Sequence, residues 1–156
     1  MCPGGHVVAA ASENEHLVTN GMSYFARDAR NANSALLVNT DPKDFGSDYV
    51  LAGMELQRKI EKAAFIAGGS NYNAPVSLVG DFLKGIKSTS FGNVEPTYRP
   101  GVNFAKPEEY LPDFICSTLR EGIPLIAKKA DFFRAEDAIL TGAETRSSSP
   151  VRINRN

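Results

Sequence analysis

Two guanidiniums and three consecutive hydroxyls crowd the block Glu144-Thr145-Arg146-Ser147-Ser148-Ser149-Pro150-Val151-Arg152 near the end of the chain. A planar guanidinium fork suits a carboxylate or a phosphate, and Ser hydroxyls with turn amides add donors. Arg146-Ser147-Ser148-Ser149 is therefore the first candidate for contact with an anion or a cofactor. The alternative, favoured for the block taken alone, is a solvated tail. A second polar cluster, Arg27, Asp28, Arg30, Asn31 and Asn33, has a structural reading: Asn side chains serve backbone donors and acceptors, so Asn31-Ala32-Asn33 pins a loop. Tyr72-Asn73-Ala74-Pro75 suits either a pocket wall or a plain connection. Glu108 and Glu109 serve a helix N-terminus by complementing its dipole.

Other chemistries lack their residues. Cys2 and Cys116 form no CxxC pair, and His6 and His16 do not complete a zinc spacing. Cys116, in an apolar stretch, reads as a reduced core thiol. The sequence contains no strand–GxGxxG–helix context, no P-loop, no GxSxG and no HExxH. A complete cofactor site of a standard kind is thus not expected from these residues alone.

Bulk properties narrow the classes further. The 156 residues suit one domain with a real core, and 42% apolar with 22% charged content is ordinary for a soluble fold. A net charge of −1 gives no basic footprint, so nucleic acid is not an expected partner. No apolar run approaches the roughly 20 residues of a membrane span, and a soluble, cytoplasmic protein is expected.

These groups must be positioned by elements whose pattern is partly readable. His6–Ala11 and His16–Thr19 flank a polar connection and predict a hairpin, with Asn20-Gly21 as a turn after it. Ser34–Thr40 reads as a buried strand ended by Asp41-Pro42. Leu56, Ile60, Ala63, Ala64 and Ala67 make one stripe at helical spacing, predicting a helix over 51–67 that Gly68-Gly69 stops. A shorter helix is expected after Pro75, through Val79 and Phe82 to Lys84. Residues 88–107 hold Gly92, Pro96, Pro100, Gly101 and Pro107 and read as a long loop, functional or mobile. A helix over about 107–120 should end at Gly122, with Pro124 opening another that turns Ile126, Ala130 and Phe133 inward. A last strand is expected over 138–143. The class is α+β: one antiparallel sheet built by strands from both ends of the chain (β-rich 1–45 and 136–153), with a helical subdomain over 50–134 inserted between them. An elaborate polar block at the edge suggests continuation, so residues 1–156 read as a single substrate-side or cap domain from within a larger protein.

Several blocks, in order, carry a resemblance: Cys2-Pro3-Gly4-Gly5, Val7-Val8-Ala9, Ser12-Glu13, Asn20-Gly21-Met22-Ser23, Arg30-Asn31-Ala32-Asn33-Ser34-Ala35 and Glu144–Arg152. Together they cover essentially the whole chain. The pattern resembles the uncharacterised bacterial FAD-dependent oxidoreductases described as NAD(FAD)-utilising dehydrogenases, in their C-terminal half. The resemblance implies FAD in the full-length protein, with NAD(P)H as a candidate donor. The glycine-rich flavin motifs would lie outside this segment, making the remaining FAD-binding portion its partner and leaving the isolated chain inactive. On this reading Arg146, Ser147, Ser148, Pro150 and Arg152 face the flavin or the substrate cleft. Cys2–Gly5 form the other crossing, and Arg30, Asn31 and Asn33 line the cleft toward a small-molecule substrate. No catalytic acid or base carries over. Two other functions remain open from the residues themselves: a non-catalytic module that recognises a small anion or a protein, motivated by loop 88–107 and the Arg-Ser turn, and a scaffold that spaces its neighbours.

Overall fold

The computed structural model describes residues 2–130, 133 and 135–145. Residues 2–33 form a three-stranded antiparallel sheet in the order β2-β1-β3, with β1 Cys2–Ala9, β2 Thr19–Ser23 and β3 Asn31–Asn33. The expected hairpin is present, but its register runs from Ala9↔Thr19 to Gly5↔Ser23, which places Asn20-Gly21 inside the second strand. Gly21 has no positive φ there. What requires glycine is space, as the site geometry shows below. Ser34–Thr40 is not a strand: the segment has no regular structure and Leu37 is 63% exposed. Only Leu36 of its apolar residues packs against a core cluster, too little burial to fix a strand on a sheet face.

The apolar stripe forms α1, Ala52–Ala67, burying Ile60 and Ala64 as its spacing demands. The chain then makes β4, Ala74–Leu78, directly continuous with α2, Val79–Lys84. β4 is the centre of a second sheet, ordered β5-β4-β6, with β5 Val102–Phe104 parallel to it and β6 Ile139–Thr141 antiparallel. A proline in a central strand is rare because it cannot donate to a ladder. Pro75 is tolerated because β6 pairing ends at Val76↔Thr141, and at the next step the Pro75 carbonyl still accepts from Gly142 N–H at 3.1 Å.

Thus the class is α+β, as expected, but the strands of the two chain ends do not share a ladder, and the middle of the chain supplies the central strand of the second sheet. The first residue of β2, Thr19, donates its N–H to the carbonyl of Ala143, two residues past β6, at 3.0 Å. Loop 88–107 is largely the crossover that a parallel β4–β5 pair needs. After a 3-10 turn at Pro107–Glu109, α3 spans Asp113–Ala127 and runs through both Gly122 and Pro124. The expected break fails because Cys116, Leu119, Ile123 and Ala127 stay in phase past the proline and pack inward, while Pro124 itself is exposed. Among the described residues no separate helix turns Ile126 and Ala130 inward; Ile126 belongs to α3 and is 39% exposed.

Two clusters make the core. Leu17, Ile60, Ala64, Phe65, Ala74, Tyr98, Tyr110 and Ala143 pack with Val7 from the first sheet. Val79, Phe82, Cys116 and Ile123 form the other, and Leu111 touches both.

Candidate functional site

Four of the sequence blocks fold onto the first sheet, and glycine sets how closely its pieces approach. Cys2 pairs with Asn33 and Gly5 with Asn31 across the β1–β3 ladder. The Asn33 amide crosses the sheet, donating to the His6 carbonyl at 3.2 Å and the Met22 carbonyl at 3.3 Å. A Cβ on Gly21 would lie 2.2 Å from Asn33 Oδ1, and one on Gly5 would lie 2.5 Å from Asn33 Nδ2. Both glycines are therefore the seat of that side chain. Gly4 is different: its φ is +52°, and a Cβ would meet the Arg27 carbonyl at 1.9 Å.

The two faces of this sheet differ in character. Val7 packs against the core, so its face is the inner one. Side chains alternate along a strand. His6 with Met22, and Val8 with Asn20, therefore share the outer face. Tyr24 meets the His6 ring edge-on at 5.1 Å between centroids. Met22 and Tyr24 are exposed, and Phe25 is 104% exposed. Met22 and Tyr24 thus stand uncovered on the outer face, with Phe25 bare in the turn after β2, while the asparagine seated on Gly5 and Gly21 lies on the opposite face, that of Val7.

Arg30 and Asn31 reach the crossover loop. Arg30 Nη1 donates to Glu95 Oε2 at 3.0 Å and Nη2 to the Asn93 carbonyl at 3.4 Å, while Asn31 Nδ2 donates to the Glu95 carbonyl at 2.8 Å. Val7 N–H donates to Thr97 Oγ1 at 2.9 Å. Residues 93–97 are in this way stitched along the edge of β1 that the short β3 leaves open. Pinning by Asn31 and Asn33 is the structural role read from the sequence, and it brings Asn31, Asn33 and Cys2–Gly5 together.

Arg146, Ser147, Ser148, Pro150 and Arg152 lie outside the described residues. Their approach is described as far as Thr145. The seven steps of β1 from Cys2 to Ala9 span about 23 Å. Ala143 is bonded beside Thr19, at the far end of that strand from Cys2. Sequence reasoning missed the residues that hold this exit: Gln57 and Glu61 on α1 both bond Thr145. The one signal in the sequence is a carboxylate directly beside the apolar stripe, a place where such a group is ordinarily solvated, yet Glu61 is 1% exposed. Tyr72, weighed as a pocket wall, lines an open cleft of about 410 Å3 with Tyr98 and Asn14. Its hydroxyl accepts from Glu15 N–H and donates to Asn14 Oδ1, both at 3.0 Å.

The groups whose pKa shifts all titrate farther from pH 7 than they ordinarily would. Burial raises the Tyr98 and Tyr110 hydroxyls and pushes the Cys116 thiol up to about 11. A bond from Lys62 lowers Glu15, and one to Glu136 raises Lys84. None of these five serves as an acid–base group near pH 7. Cys116, 1% exposed, is the core thiol expected. Among the described residues no cluster of His, Cys, Asp and Glu suits a metal, and no helix is long and apolar enough to cross a membrane.

A flavin dinucleotide fits poorly on these residues by themselves. The strand-to-helix turn from β4 to α2 is where a pyrophosphate would bind in a nucleotide fold. Its first two amides are already spent, Val79 N–H on the Ala138 carbonyl at 2.8 Å and Gly80 N–H on the Glu136 carbonyl at 2.9 Å. Among the described residues every buried side-chain N or O has a partner, so no orphaned donor points to a missing phosphate.

Comparison with known proteins gives two matches. The family described as FAD-dependent protein, C-terminal domain-like matches residues 1–147. An uncharacterized protein of Clostridium beijerinckii is 57% identical over 156 residues, covering 100% of this chain. The chain spans 29% of the length of that relative.

Proposed function

The chain belongs to the family described as FAD-dependent protein, C-terminal domain-like, and from that premise we propose that it is the substrate-side domain of an FAD-dependent oxidoreductase. Membership implies FAD as the cofactor of the full-length protein. The flavin supplies the electron chemistry, and this domain shapes access and specificity. Because the described residues do not form a flavin site on their own, the flavin is held by the remaining portion of the longer polypeptide.

The observation that carries this reading is the outer face of the first sheet. It is assembled from the sequence blocks that mark the resemblance, and it leaves Met22 and Tyr24 uncovered, with Phe25 bare in the turn that follows β2. Apolar side chains grouped on one face in this way mark an interaction surface. The reading makes it the face that closes on the flavin-binding portion. Arg30 with Asn31 then holds the loop wall of the cleft, and Asn33, seated on Gly5 and Gly21 on the Val7 side, fixes the sheet beneath it. Arg146, Ser147, Ser148, Pro150 and Arg152 face the cleft from the other end, and NAD(P)H or another small donor reduces the flavin.

The test compares the full-length protein with a Met22→Asp, Phe25→Asp variant and with this chain alone. We expect this chain to purify colourless, the full-length protein to retain FAD, and the double variant to lose most of its flavin while keeping its far-UV spectrum. Full flavin retention by the double variant, or a yellow isolated chain, overturns the proposal.

A further inference from the structure

β2 lies at the edge of its sheet, and only part of its outer side is engaged. Ala10 N–H donates to the Val18 carbonyl at 2.9 Å, one step beyond the Ala9↔Thr19 pair in an unbroken register. Bonded and unbonded pairs alternate along an antiparallel ladder, so Asn20 and Met22 also turn their backbone groups toward β1. Thr19, Gly21 and Ser23 turn theirs the other way, off the sheet. Two bonds agree with that phase. Thr19 N–H reaches the Ala143 carbonyl at 3.0 Å, and on the far side of β1 Val7 N–H reaches Thr97 Oγ1 at 2.9 Å.

Past Thr19 that outer side is open. Among the described residues Gly21 N–H and Ser23 N–H have no acceptor there, and the Gly21 carbonyl has only the Cys2 thiol, at 4.0 Å. Proteins ordinarily blunt such edges with very short strands, charges, prolines or bulges. The other edge strands, β3, β5 and β6, have three residues each. β2 has five, Thr-Asn-Gly-Met-Ser, without a charge or a proline, and its register with β1 has no bulge. Beside this edge the outer face carries the exposed Met22 and Tyr24. An undefended edge next to an apolar face has the form of a strand-addition site, where main-chain bonds supply affinity and alternate side chains supply specificity.

We propose that the edge of β2 at Gly21 and Ser23 takes an extended segment from the remaining portion of the full-length polypeptide as a fourth strand of this sheet. The occupant, though not the open edge, rests on the reading above that the chain is one domain of a longer protein. Two observations favour it over a second copy of the chain. The chain spans 29% of the length of its relative, so most of that protein lies outside the matched segment. The free edge is also short. Gly21 and Ser23 alone do not join separate molecules, since a specific association buries roughly 1,200 Å2 or more. A tethered strand escapes that demand because its effective concentration is already high. The incoming strand places an apolar side chain on the outer face beside Met22.

The test is residue-resolved amide hydrogen exchange on the full-length protein, at a low and a high protein concentration. Asn20 and Met22, which turn toward β1, are the internal references. Gly21 and Ser23 should exchange at least about a hundredfold more slowly than an unstructured chain at both concentrations. Ser23→Pro removes one outward N–H without removing a bond to β1, and edge strands tolerate proline. In that variant Gly21 should exchange about tenfold faster, with Asn20 and Met22 unchanged. The variant also loses the bond from Ser23 Oγ to the Pro3 carbonyl, so Ser23→Ala is the control and should match the parent. If Ser23→Pro does not fold, the parent protein still decides. Gly21 and Ser23 exchanging at the unstructured rate beside protected references overturns the proposal. So does protection that fades on dilution, which makes the occupant a second copy, and so does a Gly21 rate that Ser23→Pro leaves unmoved. A bare edge in a protein whose Met22→Asp, Phe25→Asp variant still sheds its flavin overturns the added strand and leaves the domain reading standing.

Discussion

If glycine is present at position 21 only to seat Asn33, then Gly21→Ala should cost stability in the parent and almost nothing once Asn33 is gone. The incoming methyl would lie 2.2 Å from Asn33 Oδ1, far inside contact distance, so the amide must swing away. Swinging away forfeits its bonds to the His6 and Met22 carbonyls, which at 3.2 and 3.3 Å are long. At the lower half of the usual net value per bond, the pair is worth about 1–2 kcal/mol. Asn33→Ala alone should therefore cost a similar amount. With Asn33 absent, Gly21→Ala meets no obstruction, and alanine in a strand is no worse than glycine. The double variant should then be about 1–2 kcal/mol more stable than the sum of the single effects predicts. Urea denaturation with a common m-value measures this cycle directly. For a chain of this size the coupling corresponds to roughly 2–8 °C in thermal midpoint. Additivity within about 0.5 kcal/mol would refute the reasoning, because the methyl and the amide would then not compete for one space.

Three further outcomes are expected. Burial raises the Cys116 thiol from 9.0 to about 11, so the folded state holds its proton longer than the unfolded state does. That stability is whole below pH 9 and lost as pH climbs to about 11, at most roughly 2–3 kcal/mol; alkaline melts of the parent should show a steeper loss than those of Cys116→Val, whose remaining slope comes from the buried Tyr98 and Tyr110 hydroxyls. Arg30→Ala removes an ion pair whose side chains are 67% and 71% exposed, so denaturation should report a loss below about 1 kcal/mol, vanishing in high salt. Pro124→Ala returns an N–H to the interior of α3 opposite the Arg120 carbonyl, and the midpoint of unfolding should rise by roughly 1–3 kcal/mol equivalent; a fall would mean the proline makes contacts that outweigh its missing bond.

How much of this was legible depended on whether the deciding interaction was local. The stripe Leu56, Ile60, Ala63, Ala64, Ala67 specifies α1 because its period is written in the sequence itself. The hairpin was readable from two apolar runs, but its register was not. Asn20-Gly21 carries the chemistry of a turn, whereas its glycine answers to an asparagine twelve residues further on. β4 was hidden because Ala74, Pro75, Val76 and Ser77 are all buried, leaving no alternation, and because Pro75 speaks against a central strand. Pro124 likewise reads as a break, and the packing of Ile123 with Phe82 and Cys116, together with the burial of Ala127, overrides it. Of the site, the pinning role of Asn31 and Asn33 was readable from residue type. The clasp by Gln57 and Glu61 was not, since its partner Thr145 is 84 residues from Glu61.

The position of β4 has a consequence for biosynthesis. Its two neighbours arrive late, β5 about thirty residues downstream and β6 after a further helix. While a ribosome is still making α3, one edge of β4 is bare, and bare strand edges recruit other chains. Translation that stalls before Ile139 emerges should therefore yield sticky nascent chains in need of a chaperone, whereas a pause just after Thr141 should release a segment already sealed on both flanks.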